Sequence, residues 1–527
     1  MKKNLLTIGA ALLFTSISLS QTVVELVKDI NPNPSEGSLG ESTFVLFGNQ
    51  IIFPAYDGTH GQELWVSDGT AEGTKMLKDI NPGPNHIYLS GLIVYKDNVY
   101  FGADNDTNGH ELWVSNGTEE STILFKDLNI GSSSYPHEFI IYNDELFFNA
   151  DGGSNGEGTW VSNGTENGTV FFKDIYSDNS IVCDGKLFMV SDYDGSTGYE
   201  LWVSDGTSEG TVLVKDINSG IDDSNPTNLT VFNNKLFFSA DDGVNGRELW
   251  ASNGTLTGTQ MVKNINLSGD SNPKEFTVFN GKLYFQADDG SGTQLWVTDG
   301  TTDGTQLVKT INPSGDSNPW ELTVYNEKLY FGADDGTNGH ELWVSNGTEE
   351  GTEMVKDINI GPSNSDLGLI TVYNNRLYFK AYTEDYNYKL YESDGTETGT
   401  VVIEPSNTTE ASPMKWTSGF IELNGYLYFD AQFTDIGTEL YRLHSEPLVG
   451  LPTQELLAFK AFPNPTNDKL TISTEKESQF TLYDLTGKAL KTVEVDQTKE
   501  ISIADLNAGM YILKENTSGS HLKIVKK

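Results

Sequence analysis

Apolar and polar residues alternate with a period of two along most of this chain, in short runs broken by Gly, Asn, Asp and Pro, and helical periodicity is absent. LTVFN (Leu229 to Asn233), KLFFSA (Lys235 to Ala240), ELWAS (Glu248 to Ser252) and TQMVKNI (Thr259 to Ile265) show the pattern clearly. We name these strands a, b, c and d. Strands a and b meet at Asn-Asn or Asn-Gly, a strong hairpin signal. Strand c and its turn recur as ELWVSDGT (Glu63 to Thr70), ELWVSNGT (Glu111 to Thr118) and close variants. The anchors are Trp65, Trp113, Trp160, Trp202, Trp250, Trp296, Trp343, Tyr391 and Tyr441, spaced by 42 to 50 residues, which makes nine units.

Four short strands per unit predict an all-β fold, a β-propeller of about nine four-stranded blades, with eight closed blades and one irregular unit as the alternative. Both faces of each blade are then buried, so Leu249 points to one neighbouring blade and Trp250 to the other. VELVKDI (Val24 to Ile30) reads as a d strand with no a, b or c before it, and the ninth unit lacks its d. The first strand therefore completes the last blade, and closure removes both sheet edges.

The two ends differ from the middle. MKKNLLTIGAALLFTSISLSQ has Lys2 and Lys3, an apolar run, and a cut expected between Ser20 and Gln21, the pattern of a secretory signal peptide in residues 1–20. The propeller is expected over 21–445, a linker over 446–458 and a small C-terminal β-sandwich over 459–527. No other segment has membrane-spanning length.

That last segment resembles the type A C-terminal sorting domain of proteins exported by the type IX secretion system of Gram-negative bacteria. The resemblance rests on Pro463-Asn464-Pro465, on Leu482 to Lys488 with Gly487 and Lys488, on Leu506 to Tyr511 with Gly509 and Tyr511, and on the basic end Lys523, Lys526 and Lys527. It implies Sec export, passage across the outer membrane by the secretion machinery, and a secreted or outer-surface location. The repeats resemble the ELWxxDGT repeat family of secreted bacterial proteins over about residues 24–443, which implies architecture and export but no defined activity.

Charge narrows the function. The chain has 75 Asp and Glu against 33 Lys and Arg, a net charge of −42, and residues 21–458 alone carry −45. That surface repels phosphate backbones and excludes nucleic acid as a partner. The lone Cys183 excludes a disulfide framework and reads as a small buried residue.

Alternating strand direction gathers the b–c and d–a loops on one face, rich in Asp and Asn. Asp104-x-Asp106-x-Asn108-Gly109 matches the first half of an EF-hand-type calcium loop, although Ser115 stands where the bidentate Glu belongs. The plainer reading is turn formation, and the same holds for the N-x-T sequons at Asn116, Asn163, Asn253 and Asn346. At the start of strand a the units differ: His137, Thr227, Lys274 and Trp320 follow one another, and Trp416 lies in the ninth loop. His137, Trp320 and Trp416 are candidate stacking platforms for a sugar ring or a partner side chain; packing against the loop base is the alternative. No catalytic constellation stands out: the seven histidines are scattered, and His110 and His340 occupy equivalent positions. The reading favoured is a non-enzymatic adhesion or recognition protein for a glycan or protein, with no certain cofactor and calcium as the candidate. A structural acidic surface protein and a polysaccharide-active enzyme are the alternatives.

Overall fold

The computed structural model describes residues 20–33, 38–39, 44–192, 195–384, 387–403, 405, 419–433, 437–447, 459–463, 465–474, 476–484, 488–507, 509–516 and 521–527. Trp416, Asn464, Gly487, the leader before Ser20 and most of the expected linker lie outside these residues. The chain divides into two units, Thr22–Ser445 and one containing Glu446–Lys527.

Among the described residues, nine four-stranded sheets build the first unit, and its one helical turn is Gly153–Asn155. Eight sheets take four successive strands each, as in Thr227–Phe232, Lys235–Asp241, Arg247–Ser252 and Gln260–Lys263. The remaining sheet joins the ends of the unit: Ser20–Lys28 lies beside Glu439–Pro447, then Tyr426–Ala431 and Phe420–Leu423. The pairing inferred from the incomplete first and last repeats is therefore present. At the a–b hairpins, Asn233 and Asn234 have φ of 50° and 58°, the two positive values that a two-residue turn between twisted strands requires.

Each sheet packs on the next. Trp250 shares a cluster with Phe188 and Leu201 of the preceding sheet, whereas Leu249 sits with Leu283 and Phe285 of the following one. Similar clusters join every consecutive pair, and the last links Tyr378 and Leu390 to Val24, Leu427 and Tyr441 of the joining sheet. A fully buried Leu or Phe contributes roughly 1.5–3 kcal/mol, and a surface ion pair about 0–1 kcal/mol. Sheet stacking thus holds this propeller-like, disulfide-free unit together. Strands a of successive sheets touch one another, which places them innermost.

The (S/T)-(D/N)-G-T-x-x-G-T signature is spent on this packing. Asp68 Oδ1 accepts from the Thr70 N–H and hydroxyl, and Ser67 and Thr74 share a hydroxyl hydrogen bond of 2.7 Å. Gly69, at φ 90°, leaves room for the preceding sheet: a Cβ there would lie 2.1 Å from the Tyr428 hydroxyl. A Cβ at Gly73 would lie 1.9 Å from Asp68 Oδ1. One repeat substitutes Ser121 for that second glycine, and its hydroxyl turns to Asn116 Oδ1. The asparagines of the sequons fill the same capping role, as Asn253 does for Thr255.

The C-terminal unit stacks a three-stranded sheet on a four-stranded one around Leu470, Ile472, Phe480, Leu482, Leu513 and Ile524.

Candidate ligand-binding site

The face bearing the b–c and d–a loops is knitted by the first residue of strand c's ELW triplet. Glu248 is fully buried; its carboxylate accepts from the Ile265 and Asn266 N–H groups and the Ser271 hydroxyl. Glu111, Glu200 and Glu439 likewise accept from loop N–H groups and a serine hydroxyl, and Glu63 and Glu341 from the N–H groups of Ile80 and Asn81 and of Ile358 and Asn359. Burial pushes Glu63 up to about 8 and Glu111, Glu200, Glu341 and Glu439 up to about 7, against the N–H and O–H donors that pull the other way. Gln294 replaces the acid in one sheet, accepting from Ile311 and Asn312 and donating to two loop carbonyls. The hub thus works without charge. Loop Asx residues are also engaged: Asp223, Asp270 and Asp316 cap the N–H groups of Tyr199, Arg247 and Thr293.

A second recurrent device has no counterpart in the strand pattern. The lysine that ends strand d reaches into the next sheet and donates to a threonine carbonyl, in eight pairs from Lys28 to Thr74 through Lys356 to Thr400. Lys215 and Lys263 also lie over the Trp250 and Trp296 rings, at 5.0 and 5.9 Å. Its signal was the lysine repeated before Asp-Ile, which strand alternation alone does not interpret.

What differs between units gathers at the start of strand a, around the inner mouth of the loop face. Here strand a bulges, and its second residue takes positive φ even as Glu138, Glu275 or Glu321. Neighbouring strands are linked there, since the Glu321 N–H donates to the Glu275 carboxylate at 3.0 Å. Each first residue faces a strand b partner: His137 faces Asn149, Thr227 Ser239, Lys274 Gln286 and Trp320 Gly332. Sizes compensate within the pair; a Cβ at Gly332 would lie 2.5 Å from Trp320 Nε1.

Trp320 is 38% exposed and meets His340 edge-on at 5.0 Å. His340 and His110 donate through Nε2 to the Asn318 and Tyr88 carbonyls, while both Nδ1 atoms are buried without a partner, and burial lowers both rings below the usual histidine range. His137 has both nitrogens engaged: Nδ1 donates to the Tyr135 carbonyl at 2.6 Å, which leaves Nε2 to accept from the Tyr176 hydroxyl at 2.7 Å.

Beside Trp320's strand, a cavity of about 310 Å³ opens between the Trp250 and Trp296 sheets, lined by Thr227, Ser239, Arg247, Lys274, Gln286 and Asn318 among others. Ser239 and Gln286 are 1% and 3% exposed, and Ser239 Oγ and Gln286 Oε1 have no hydrogen-bond partner. A buried polar atom left so costs about 1–3 kcal/mol. Of these residues the sequence singled out only Thr227 and Lys274, as members of the variable series. The pairing of strand a with strand b within each repeat was the signal for the others.

In the calcium-like loop, Asp104 Oδ1 accepts from the Asp106 N–H, the Asp106 carboxylate from Asn85, and Asn108 donates to Asp127. Among the described residues no group of three or more His, Cys, Asp or Glu could hold a metal ion. Ser20 and Gln21 open the joining strand. Cys183 is 2% exposed in an inter-sheet cluster, and burial pushes its thiol up. In the C-terminal unit Pro463 and Pro465 precede Thr466, whose N–H donates to the Val525 carbonyl. Lys526 is 8% exposed and donates to the Asn467 carbonyl; Tyr511, beside Gly509, donates to the Asn507 carbonyl. The Lys488 N–H caps Asp484, and Lys527 is exposed.

Residues 460–527 match the secretion system C-terminal sorting domain. No curated protein matches the chain. Solved structures similar to it include a puromycin hydrolase (11% identity, TM-score 0.34, 73% of this chain and 62% of that one). Others are a structure from a study of two prolyl endopeptidases (9%, 0.37, 85% and 56%) and a Mycobacterium tuberculosis puromycin-hydrolyzing peptidase (9%, 0.36, 67% and 60%). The alignments thus span 56–62% of those chains, and at such TM-scores they support no statement about activity. No helix among the described residues is long and apolar enough to cross a membrane. The sorting domain marks the chain for export to the outer surface of a Gram-negative bacterium or beyond it.

Proposed function

We propose that residues 21–445 form a closed nine-bladed propeller of the ELWxxDGT type, exported to act as a non-enzymatic binding or adhesion module. Its ligand is a glycan or surface protein held at the inner mouth of the loop face. One observation carries this reading: at the start of strand a, where the units differ, the mouth combines an exposed Trp320 with a polar cavity in which the buried Ser239 Oγ and Gln286 Oε1 have no partner. Fold alone would not choose this function.

The test is retention of the full-length protein on glycan and cell-surface arrays, with and without a calcium chelator, beside Trp320→Ala. Selective retention that Trp320→Ala weakens supports the reading. Indifference to every surface points instead to a structural acidic coat protein. Release of product from a polysaccharide points to an enzyme. Retention lost on chelation assigns calcium a part, with the loop of Asp104, Asp106 and Asn108 as the first place to substitute.

A further inference from the structure

We propose that the cavity between the Trp250 and Trp296 sheets binds a carboxylated hexose, the uronic acid unit of an acidic polysaccharide. This deepens the loop-face reading and rests on it. The cavity's lining contains no Asp or Glu, although residues 21–458 hold 66 of them against 21 Lys and Arg. It contains two cations instead. The Lys274 side chain is exposed and, among the described residues, has no ion pair or hydrogen bond, unlike the lysines engaged in inter-sheet contacts. Arg247 is fixed by its own donors to the Asn225, Ser239 and Ser224 carbonyls, so its guanidinium sits in one place; Asp241 and Asp270 lie near it but outside the lining. A fixed guanidinium and an exposed ammonium suit a carboxylate.

The rest of the wall selects hydroxyls. Gln286 Oε1 can only accept, so the ligand must bring a donor; Ser239 Oγ can do either, and both are buried and unpaired. Thr227, Asn228, Asn272, Thr293 and Asn318 add further polar groups, and Pro273 is the one apolar residue lining it. An aliphatic acid leaves these groups unmatched; a sugar acid matches both sets. At about 310 Å³ the cavity lies at the small end of the usual ligand range of roughly 300–1,000 Å³, the scale of one sugar unit. Trp320, partly exposed on the adjoining strand, is the candidate platform for the next unit of a chain.

The experiment is calorimetric titration of the full-length protein with galacturonate, galactose and acetate at low salt. Galacturonate should bind at least tenfold more tightly than either other probe, and added salt should weaken it. Lys274→Ala should lower galacturonate affinity at least tenfold while leaving the melting temperature nearly unchanged, because that exposed side chain has no ion pair or hydrogen bond among the described residues. Ser239→Val should weaken it through the hydroxyl contact instead. Equal affinity for galactose, equal affinity for acetate, or indifference to Lys274→Ala overturns the proposal. If galacturonate fails while Trp320-dependent retention on another surface persists, the uronate inference falls and the loop-face reading stands; if no surface retains the protein, both fall.

Discussion

The two faces of the ring use similar residues to different ends. On the face of the c–d turns, Ser67, Asp68, Thr70, Gly73 and Thr74 form a closed hydrogen-bond set, and their counterparts repeat it in sheet after sheet. On the loop face, Glu248, Ser271 and Asp270 are bonded no less completely, but the inner mouth carries His137, Thr227, Lys274 and Trp320 at one equivalent position. Recurrence therefore marks groups that hold the ring; among the departures His137 is held by Tyr135 and Tyr176, and Thr227, Lys274 and Trp320 are the ones we assign to a ligand. Much of the acidity that suggests a binding surface is structural.

That contrast can be broken at its strongest point first. Trp296→Ala removes a ring packed between two sheets and should cost about 3–5 kcal/mol, read by guanidinium unfolding. Glu248→Ala, which strands the Ile265 and Asn266 N–H groups, should cost about 2–3 kcal/mol, whereas Glu248→Gln should stay near wild type because Gln294 already fills that place in the next sheet. Lys309→Ala, which loses one latch to the Thr352 carbonyl, should cost about 1.5 kcal/mol. Lys274→Ala and Trp320→Ala should change stability least.

The buried glutamates give a pH dependence of fixed sign. Their folded values, about 7 to 8, lie above the ordinary 4.5, so the folded state holds more protons across that interval. Their contribution is complete below about pH 4.5 and is lost as pH rises through 7 to 8. The melting temperature should therefore fall between pH 5.5 and 8.5, and Glu341→Gln with Glu439→Gln should flatten the fall. A melting temperature that rises over this range would contradict the assignment.

Strand order, hairpin turns, the two-sided burial of Leu249 and Trp250, and the pairing of first with last strand were legible because each follows from a local period of two or a repeat near 47 residues. The lysine latch was not, since Lys215 meets Thr259 across 44 residues and between sheets. Nor were the glutamate hubs, whose partners lie 17 to 24 residues away in loops without strand pattern, or 401 to 409 residues away for Glu439. The bulge at Glu275 and Glu321 was hidden because glutamate has no preference for positive φ; strand curvature imposes it. At the candidate site the sequence singled out Trp320 by its oddity but did not place Arg247, Ser239 and Gln286 around one cavity, which only the stacking of two sheets assembles.

The most direct test sets the two faces against each other in one assay. Full-length proteins carrying either Lys274→Ala with Trp320→Ala, or Leu256→Ala at an exposed residue of the c–d turn on the opposite face, are compared for retention on the surface that best holds the unaltered chain. Loss of retention in the first and none in the second is the predicted result; retention that survives the mouth substitutions but fails with Leu256→Ala would contradict the account.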